Sequence, residues 1–180
     1  GMQHEMLAGV DFAWEQKKVY AALTPAQGGP TLVKPKTTIG ETEDGAWINE
    51  SSRVFRIASQ YDSKGIGVYA QDLIQIAPYW KLLAGLRYDY LQGDYDTFSA
   101  PNNATGQVTT SSYRMKVSQW SERLGLMYQP TPLSSYYVSA ANSFNTSGDA
   151  YSLSAANVDI PPEQSVNLEI GAKIDSDDKR

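Results

Sequence analysis

Cysteine is absent from the 180 residues of this chain, and histidine occurs once, as His4. The absence of cysteine excludes a disulfide framework and every metal site built on thiolates. One histidine near the end of the chain provides neither a Ser-His-Asp triad nor a two-histidine metal site. We therefore expect no catalytic residue, no metal centre and no cofactor bound by this chain, and we do not interpret it as an enzyme.

Two motifs that could suggest a ligand are incomplete. The segment Gly65–Ala70 matches the dinucleotide fingerprint formally, but it lacks the preceding strand and following helix that this chemistry needs. The acidic groups Asp94–Asp96 and Glu41–Asp44 lack the full ligand set of an oxygen-lined cation loop. We interpret both groups as solvated loop acids.

Long apolar runs and an excess of positive charge are also missing. No segment approaches the ~18 consecutive apolar residues of a membrane-spanning helix, and the mean hydropathy is -0.42. The formal net charge is -5, which argues against a nucleic-acid partner because phosphate binding needs a basic surface. We expect no signal peptide near the start of the chain. Gly1 before Met2 resembles the remnant of a removed tag, so residues 1–3 are treated as an end.

The sequence does contain regular alternation of apolar and polar residues. In residues 82–90 the even positions are apolar or aromatic, namely Leu82, Ala84, Leu86, Tyr88 and Tyr90. Successive side chains of a strand point to opposite faces, so this segment has one apolar and one mostly polar face. The pattern returns in residues 120–129 and 166–175. Such strands suit a sheet with lipid on one side and water on the other.

The alternation predicts an all-β antiparallel up-and-down meander of about six strands. The predicted strands are His4–Gln16, Gly65–Ile76, Lys81–Tyr90, Met115–Gln129, Ser134–Phe144 and Gln164–Asp175. Short turns at residues 78–79 and 130–132 alternate with long loops at about 17–62, 91–114 and 145–163. The first loop could hold a short hairpin near 47–57. All long loops then fall at one rim, which is typical of outer-membrane β-barrels.

Four segments form an ordered set of motifs: Gly67–Asp89, Trp120–Pro130, Tyr137–Asn145 and Pro162–Lys173. Their order, spacing and turn prolines resemble the barrel of the TonB-dependent siderophore receptors. The resemblance is closest over residues 64–180, moderate over 4–16 and slight over 17–62. Each segment alone would be a weak signal, but four segments in order are specific.

The resemblance implies that residues 4–180 are part of a 22-stranded barrel in the outer membrane of a Gram-negative bacterium, without the plug domain. The whole receptor would bind a ferric siderophore outside the cell and import it with energy supplied by TonB. Its partners would be outer-membrane lipid, the plug domain of the same chain, the ferric siderophore and TonB. TonB would act through an N-terminal region that this sequence does not include. The chain itself would supply barrel wall and ligand-capturing loops.

Two sets of residues are candidates for contacts within such a receptor. Five charged residues opposite the apolar face are expected to line the lumen, mainly in a structural role: Arg87, Asp89, Arg123, Glu169 and Lys173. Six aromatic residues on the long loops are candidates for siderophore binding: Trp47, Tyr95, Phe98, Tyr113, Phe144 and Tyr151. Aromatic rings offer flat apolar contact with a polar tip. Tyr88, Tyr90 and Trp120 are better interpreted as anchors at the lipid headgroups.

One alternative from another class remains open, a soluble all-β secreted module for binding or adhesion. A soluble module would bury the apolar face against a second sheet, whereas a barrel wall would leave it uncovered. A six-stranded piece of a barrel also has two free edges, and free edges pair with other chains. We therefore expect the isolated chain to self-associate, to need detergent, or to curl into a smaller closed sheet.

Overall fold

The computed structural model describes residues 2–33, 40, 47–146 and 152–176 of the chain. These residues form one six-stranded sheet in which the strands pair in chain order, each pair being antiparallel. The strands are β1 Gln3–Ala22, β2 Phe55–Ala77, β3 Trp80–Phe98, β4 Thr110–Thr131, β5 Ser134–Asn145 and β6 Glu163–Ile174. The predicted all-β meander is therefore confirmed.

The only helical element in the described ranges is a 3-10 helix, Pro25–Gln27. Among these residues, nothing helical has the length and apolar character to cross a membrane.

Four strands are longer than the sequence pattern indicated. β1 continues to Ala22, β2 already begins at Phe55, β3 continues to Phe98 and β4 begins at Thr110. The predicted loops 17–62 and 91–114 were therefore too long, and the connections span 23–54 and 99–109. The expected hairpin near 47–57 was also wrong within the described residues, because its last part belongs to β2. The physical reason is that, near the long connections, the polar and apolar residues of these strands exchange faces.

Short and long connections leave opposite ends of the sheet, as predicted. Two-residue turns, 78–79 and 132–133, join β2 to β3 and β4 to β5. A backbone hydrogen bond links each turn to the next strand: the Gln129 amide of β4 donates to the Tyr79 carbonyl at 2.8 Å, and the Asp175 amide, directly after β6, donates to the Leu133 carbonyl at 2.8 Å. The connections 23–54, 99–109 and 146–162 begin and end at the other end of the sheet. We call the two ends the turn rim and the loop rim.

Strand register divides the sheet into two faces. Over most of each strand, even-numbered residues share a face with Leu86, and odd-numbered residues share the other face with Arg87. One row across the Leu86 face contains His4 on β1 and then five apolar residues, Ile74, Leu82, Leu126, Val138 and Ile170. In the described parts of the chain no second layer covers this face, and Leu168 and Ile170 are 77% and 86% exposed.

A small buried core lies on the Arg87 face near the loop rim. It contains Tyr61, Tyr95, Met115, Val117 and Leu153. Leu153 comes from the connection 146–162 and is only 4% exposed. Asn157 holds the backbone around Leu153, since its Oδ1 accepts from the Ser154 amide at 2.6 Å and its Nδ2 donates to the Ser152 carbonyl at 3.1 Å. The described part of this connection is therefore anchored on the Arg87 face. We call the buried cluster of Tyr61, Tyr95, Met115, Val117 and Leu153 the loop-rim core.

β4 and β5 separate towards the loop rim. Their pairing ends at Arg123 and Ala141. Beyond it, the Asn142 side chain accepts from the Glu122 amide and donates to the Trp120 carbonyl at 3.5 Å. A side-chain amide thus replaces one step of the ladder. The segments 114–119 and 158–162 line a gap of about 550 Å³ beside the part of β4 that is nearer the loop rim.

Candidate functional site

The apolar residues of the Leu86 face form a band with aromatic side chains at both margins. Towards the turn rim, the rings of Trp80 and Tyr128 have centroids 4.7 Å apart. Towards the loop rim, Tyr88 and Trp120 have centroids 4.9 Å apart. At about 3.3 Å per residue, β3 rises about 33 Å from Trp80 to Tyr90. A strand tilt of about 40° reduces this to about 25 Å, the height of the apolar band on outer-membrane barrels.

Two acidic residues interrupt this band, and each lies beside a polar partner. His4 Nδ1 lies 2.6 Å from Asp72 Oδ2. Glu122 lies beside Asn142, which accepts its backbone amide hydrogen. Between them, the alanines of the neighbouring strands leave a shallow groove of about 770 Å³, lined in part by Ala70, Ala84 and Ala140. The polar interruptions are thus local and partly satisfied within the sheet.

Polarity reverses beyond the aromatic residues at the loop rim. The next two rows of the Leu86 face contain Lys64, Gln92 and Lys116, then Asp62, Asp94 and Arg114. Arg114 Nε donates to Asp94 Oδ1 at 2.6 Å, and this bond lowers the pKa of the Asp94 carboxyl below its ordinary value. The Arg87 face at the same height holds the loop-rim core. The strands therefore continue beyond the apolar band, but there the Leu86 face is polar and the Arg87 face is apolar.

The Arg87 face within the band carries an ion-pair network that joins three strands. Arg87 donates through Nε to Asp89 Oδ2 at 2.7 Å and through Nη1 to Asp11 Oδ2 at 2.8 Å. Its guanidinium also lies 5.7 Å from the centroid of the Tyr69 ring. The network fixes Arg87 across β1, β2 and β3. Sequence reasoning placed Arg87 and Asp89 on this face but did not find Asp11 as their partner.

The other predicted charged residues share this face with Arg87 but lie apart from its network. Glu169 Oε1 accepts from the Tyr137 hydroxyl at 2.6 Å. Lys173 Nζ lies 3.7 Å from Asp175 Oδ2, and both side chains are largely exposed. Arg123 is exposed between Gly85 and Ala141 in its row. No group of three or more His, Cys, Asp or Glu side chains that could hold a metal ion occurs in the described ranges.

Several glycines on the Arg87 face provide space for aromatic rings of neighbouring strands, a feature that sequence reasoning missed. A Cβ at Gly9 would lie 2.9 Å from Cε1 of Tyr69, and a Cβ at Gly93 would lie 2.9 Å from Cε2 of Tyr61. Gly171 faces the ring of Tyr137 in the same way. The signal was present as Tyr and Gly at paired positions, but it becomes readable only when the strand register is known.

Of the six aromatic candidates for ligand binding, most lie on strands and not on loops. Tyr95 on β3 is 8% exposed within the loop-rim core, and Tyr113 and Phe144 pack against that core. Phe98 is the last residue of β3. Trp47 is in the connection 23–54 and is 75% exposed. Tyr151 lies outside the described residues. The loop placement of Tyr95, Phe98, Tyr113 and Phe144 was therefore wrong, because β3, β4 and β5 extend through these positions.

The family model described as TonB dependent receptor-like, beta-barrel, matches residues 3–180. The chain belongs to this TonB-dependent receptor family. The expected resemblance is therefore confirmed.

Two curated relatives of this TonB-dependent receptor segment match about three fifths of it. The probable TonB-dependent siderophore receptor PiuA of Acinetobacter baumannii is 30% identical over 115 residues, which are 60% of this chain and 15% of the relative. The metal-pseudopaline receptor CntO of Pseudomonas aeruginosa is 29% identical over 110 residues, which are 61% of this chain and 15% of the relative. The matched part is therefore a small fraction of both relatives.

Two solved receptors share the fold over nearly the whole chain. The crystal structure of the siderophore receptor PiuA from Acinetobacter baumannii aligns with a TM-score of 0.73 and 20% identity, covering 97% of this chain and 27% of the other. The closed form of the ferric-catecholate import receptor Fiu from E. coli K12 aligns with a TM-score of 0.78 and 21% identity, covering 99% and 27%. The chain thus spans about a quarter of these structures.

Proposed function

We propose that this chain is part of the wall of an outer-membrane receptor that imports a ferric siderophore with energy supplied by TonB. The supporting observation is the apolar band of the Leu86 face, bracketed by aromatic rings and about 25 Å high by strand geometry. Membership of the family and the names of the relatives PiuA, CntO and Fiu support the same role. A soluble module is not favoured, because its apolar face would be covered by a second layer.

In this proposal the two faces have different partners. The Leu86 face contacts the acyl chains of the outer membrane. The Arg87 face points into the barrel, where Arg87, Asp89, Arg123, Glu169 and Lys173 contact the plug domain or water. The loop-rim core holds the segment around Leu153 at the outer end of the lumen, where an incoming ferric siderophore would arrive. Trp47 is exposed at that end and is the best placed of the five aromatic candidates within the described residues.

The proposed transport is tested with the whole receptor that contains these residues. Iron-starved cells expressing it should take up radioactive iron from a ferric catecholate or a ferric hydroxamate, and deletion of TonB should abolish this uptake. Cells expressing the receptor with Trp47→Ala test whether this side chain contacts the siderophore. We expect them to bind the ferric chelate more weakly than cells with the unchanged receptor. Uptake that does not need TonB, or no binding of any ferric chelate, would contradict the proposal.

A further inference from the structure

Two lysines lie at one height on the Leu86 face, directly beyond the aromatic margin of the band. Strand register pairs Lys64 on β2 with Gln92 on β3, and Gln92 with Lys116 on β4. Since neighbouring strands are about 4.8 Å apart, the Cα atoms of the two lysines are about 10 Å apart. Both residues are exposed. Two flexible four-carbon stems at this separation can bring both ammonium groups to one anion.

The carboxylates one row further out already have partners. Asp94 accepts from Arg114 at 2.6 Å and from Gln92 at 3.3 Å. Asp62 accepts from Gln16 at 2.7 Å and from Gln60 at 2.7 Å.

The lysines themselves belong to none of the salt bridges found in the described part of the chain. Neither lysine therefore holds a direct salt bridge within the described residues, although Lys116 lies close enough to Asp94 for their charges to interact.

The depth of the lysines is set by the aromatic residues around them. Trp14 on β1 pairs with Lys64 and so lies in the same row, while Tyr90 lies in the row below. Trp and Tyr side chains concentrate at the boundary between hydrocarbon and headgroups. Lysine stems can lie along apolar surface while their ammonium groups extend to the polar layer. The ammonium groups therefore reach the level of lipid phosphates.

We propose that Lys64 and Lys116 form a binding site for the phosphate group of an anionic lipid in the leaflet at the loop rim. The proposal rests on the membrane setting proposed above. Charge complementarity selects an anionic lipid over a zwitterionic one, because a zwitterionic headgroup carries its own cation. A lysine near a membrane surface favours an anionic lipid about fivefold.

The test uses the 180-residue chain in detergent micelles. Substituting Trp47 and Trp80 by Phe leaves two fluorophores, Trp14 in the row of the lysines and Trp120 two rows nearer the centre of the band. Micelles contain a small fraction of phosphatidate or phosphatidylcholine with brominated acyl chains, which quench tryptophan on contact. Phosphatidate should quench more efficiently than phosphatidylcholine, and Lys64→Gln or Lys116→Gln should each reduce this preference about fivefold.

Three controls decide between the explanations. Lys81→Gln removes the same charge from the Arg87 face at the turn rim and should leave the preference unchanged, while Lys64→Arg with Lys116→Arg should retain it. A preference that survives the double glutamine variant overturns the proposal. So does its abolition by excess inorganic phosphate at matched ionic strength, since the site would then select free phosphate. Absence of quenching by brominated phosphatidylcholine would instead contradict the membrane wall itself.

Discussion

Arg87 on β3 donates from Nη1 to Asp11 Oδ2 on β1 at 2.8 Å, although β2 lies between these strands. The side chains meet above Gly67, where a Cβ would lie 2.8 Å from Arg87 Cζ and 2.9 Å from Asp11 Oδ1. The absence of a side chain at one position of β2 therefore allows an ion pair to join the two strands beside it. Such cross-strand ties add to the backbone ladder on the Arg87 face.

Replacing Gly67 with Ala should displace this ion pair. A methyl group in the path of the guanidinium overpacks the site, and overpacking costs ~1–3 kcal/mol of unfolding free energy. Gly125→Ala is the matched control, because its Cβ would meet no atom closer than 3.6 Å. The control should be neutral or slightly stabilising. Urea unfolding in detergent micelles, followed by tryptophan fluorescence, measures both variants. Equal stability of the two variants would show that the ion pair between Arg87 and Asp11 does not require the absence of a side chain at position 67.

The strength of the pair itself can be measured with a double-mutant cycle of Arg87→Met and Asp11→Asn. Both side chains are partly exposed, so we expect only a small coupling free energy, because solvent screens an exposed ion pair. The coupling should shrink in concentrated salt, because exposed charges are screened. A coupling indistinguishable from zero at low salt would mean that the contact forms without stabilising the sheet.

The order of the strands, the face on which each residue lies and the sorting of the connections could be predicted, because strands with one apolar face alternate with period two. Leu82, Leu126 and Ile170 share the Leu86 face, and that facing follows from local pattern alone. The strand ends could not be predicted in the same way. Beyond Tyr90 the even positions become polar and the odd positions apolar, as in Tyr61, Tyr95 and Met115. A search for apolar even positions stops there, although the backbone ladder continues.

The sequence was enough to predict several residues of the candidate site, but not which residues they contact. The charges of Arg87 and Asp89 are visible in the sequence, yet their partner Asp11 is on β1, 76 residues from Arg87 along the chain. Such a contact depends on the register of three strands, which no local pattern specifies. Leu153 was missed for a related reason, since it is one apolar residue in a polar segment and its burial depends on Asn157 holding the chain over the loop-rim core.

Leu153→Ala should release the described part of the connection 146–162 from the loop-rim core. Truncation of a buried leucine typically costs ~2–5 kcal/mol, and here the cost falls on local anchoring of the segment. We expect faster amide exchange at residues 152–160, with little change at β6. Ile160→Ala is the matched control, because Ile160 is 55% exposed. Equal exchange in both variants would contradict the anchoring role of Leu153.

The free edge of β6 should make the isolated chain associate. The Asp175 amide donates to the Leu133 carbonyl at the β5 side, so even-numbered residues of β6 direct their amides to the open side. Leu168→Pro removes one of these outward donors and should reduce the mass measured by light scattering in detergent. Asn167→Pro is the control, since it removes a bond to β5 and should lower stability instead.

Amide exchange at Val166, Leu168 and Ile170 distinguishes the ways in which this edge can be satisfied. If chains pair through β6, these amides should be protected in the associated form and should lose that protection on dilution. If the sheet curls so that β1 meets β6, protection should persist in particles of one chain, and Leu168→Pro should weaken it. Rapid exchange at all three amides in a particle of one chain would contradict both forms of edge pairing, because the backbone donors would then be bonded only to water.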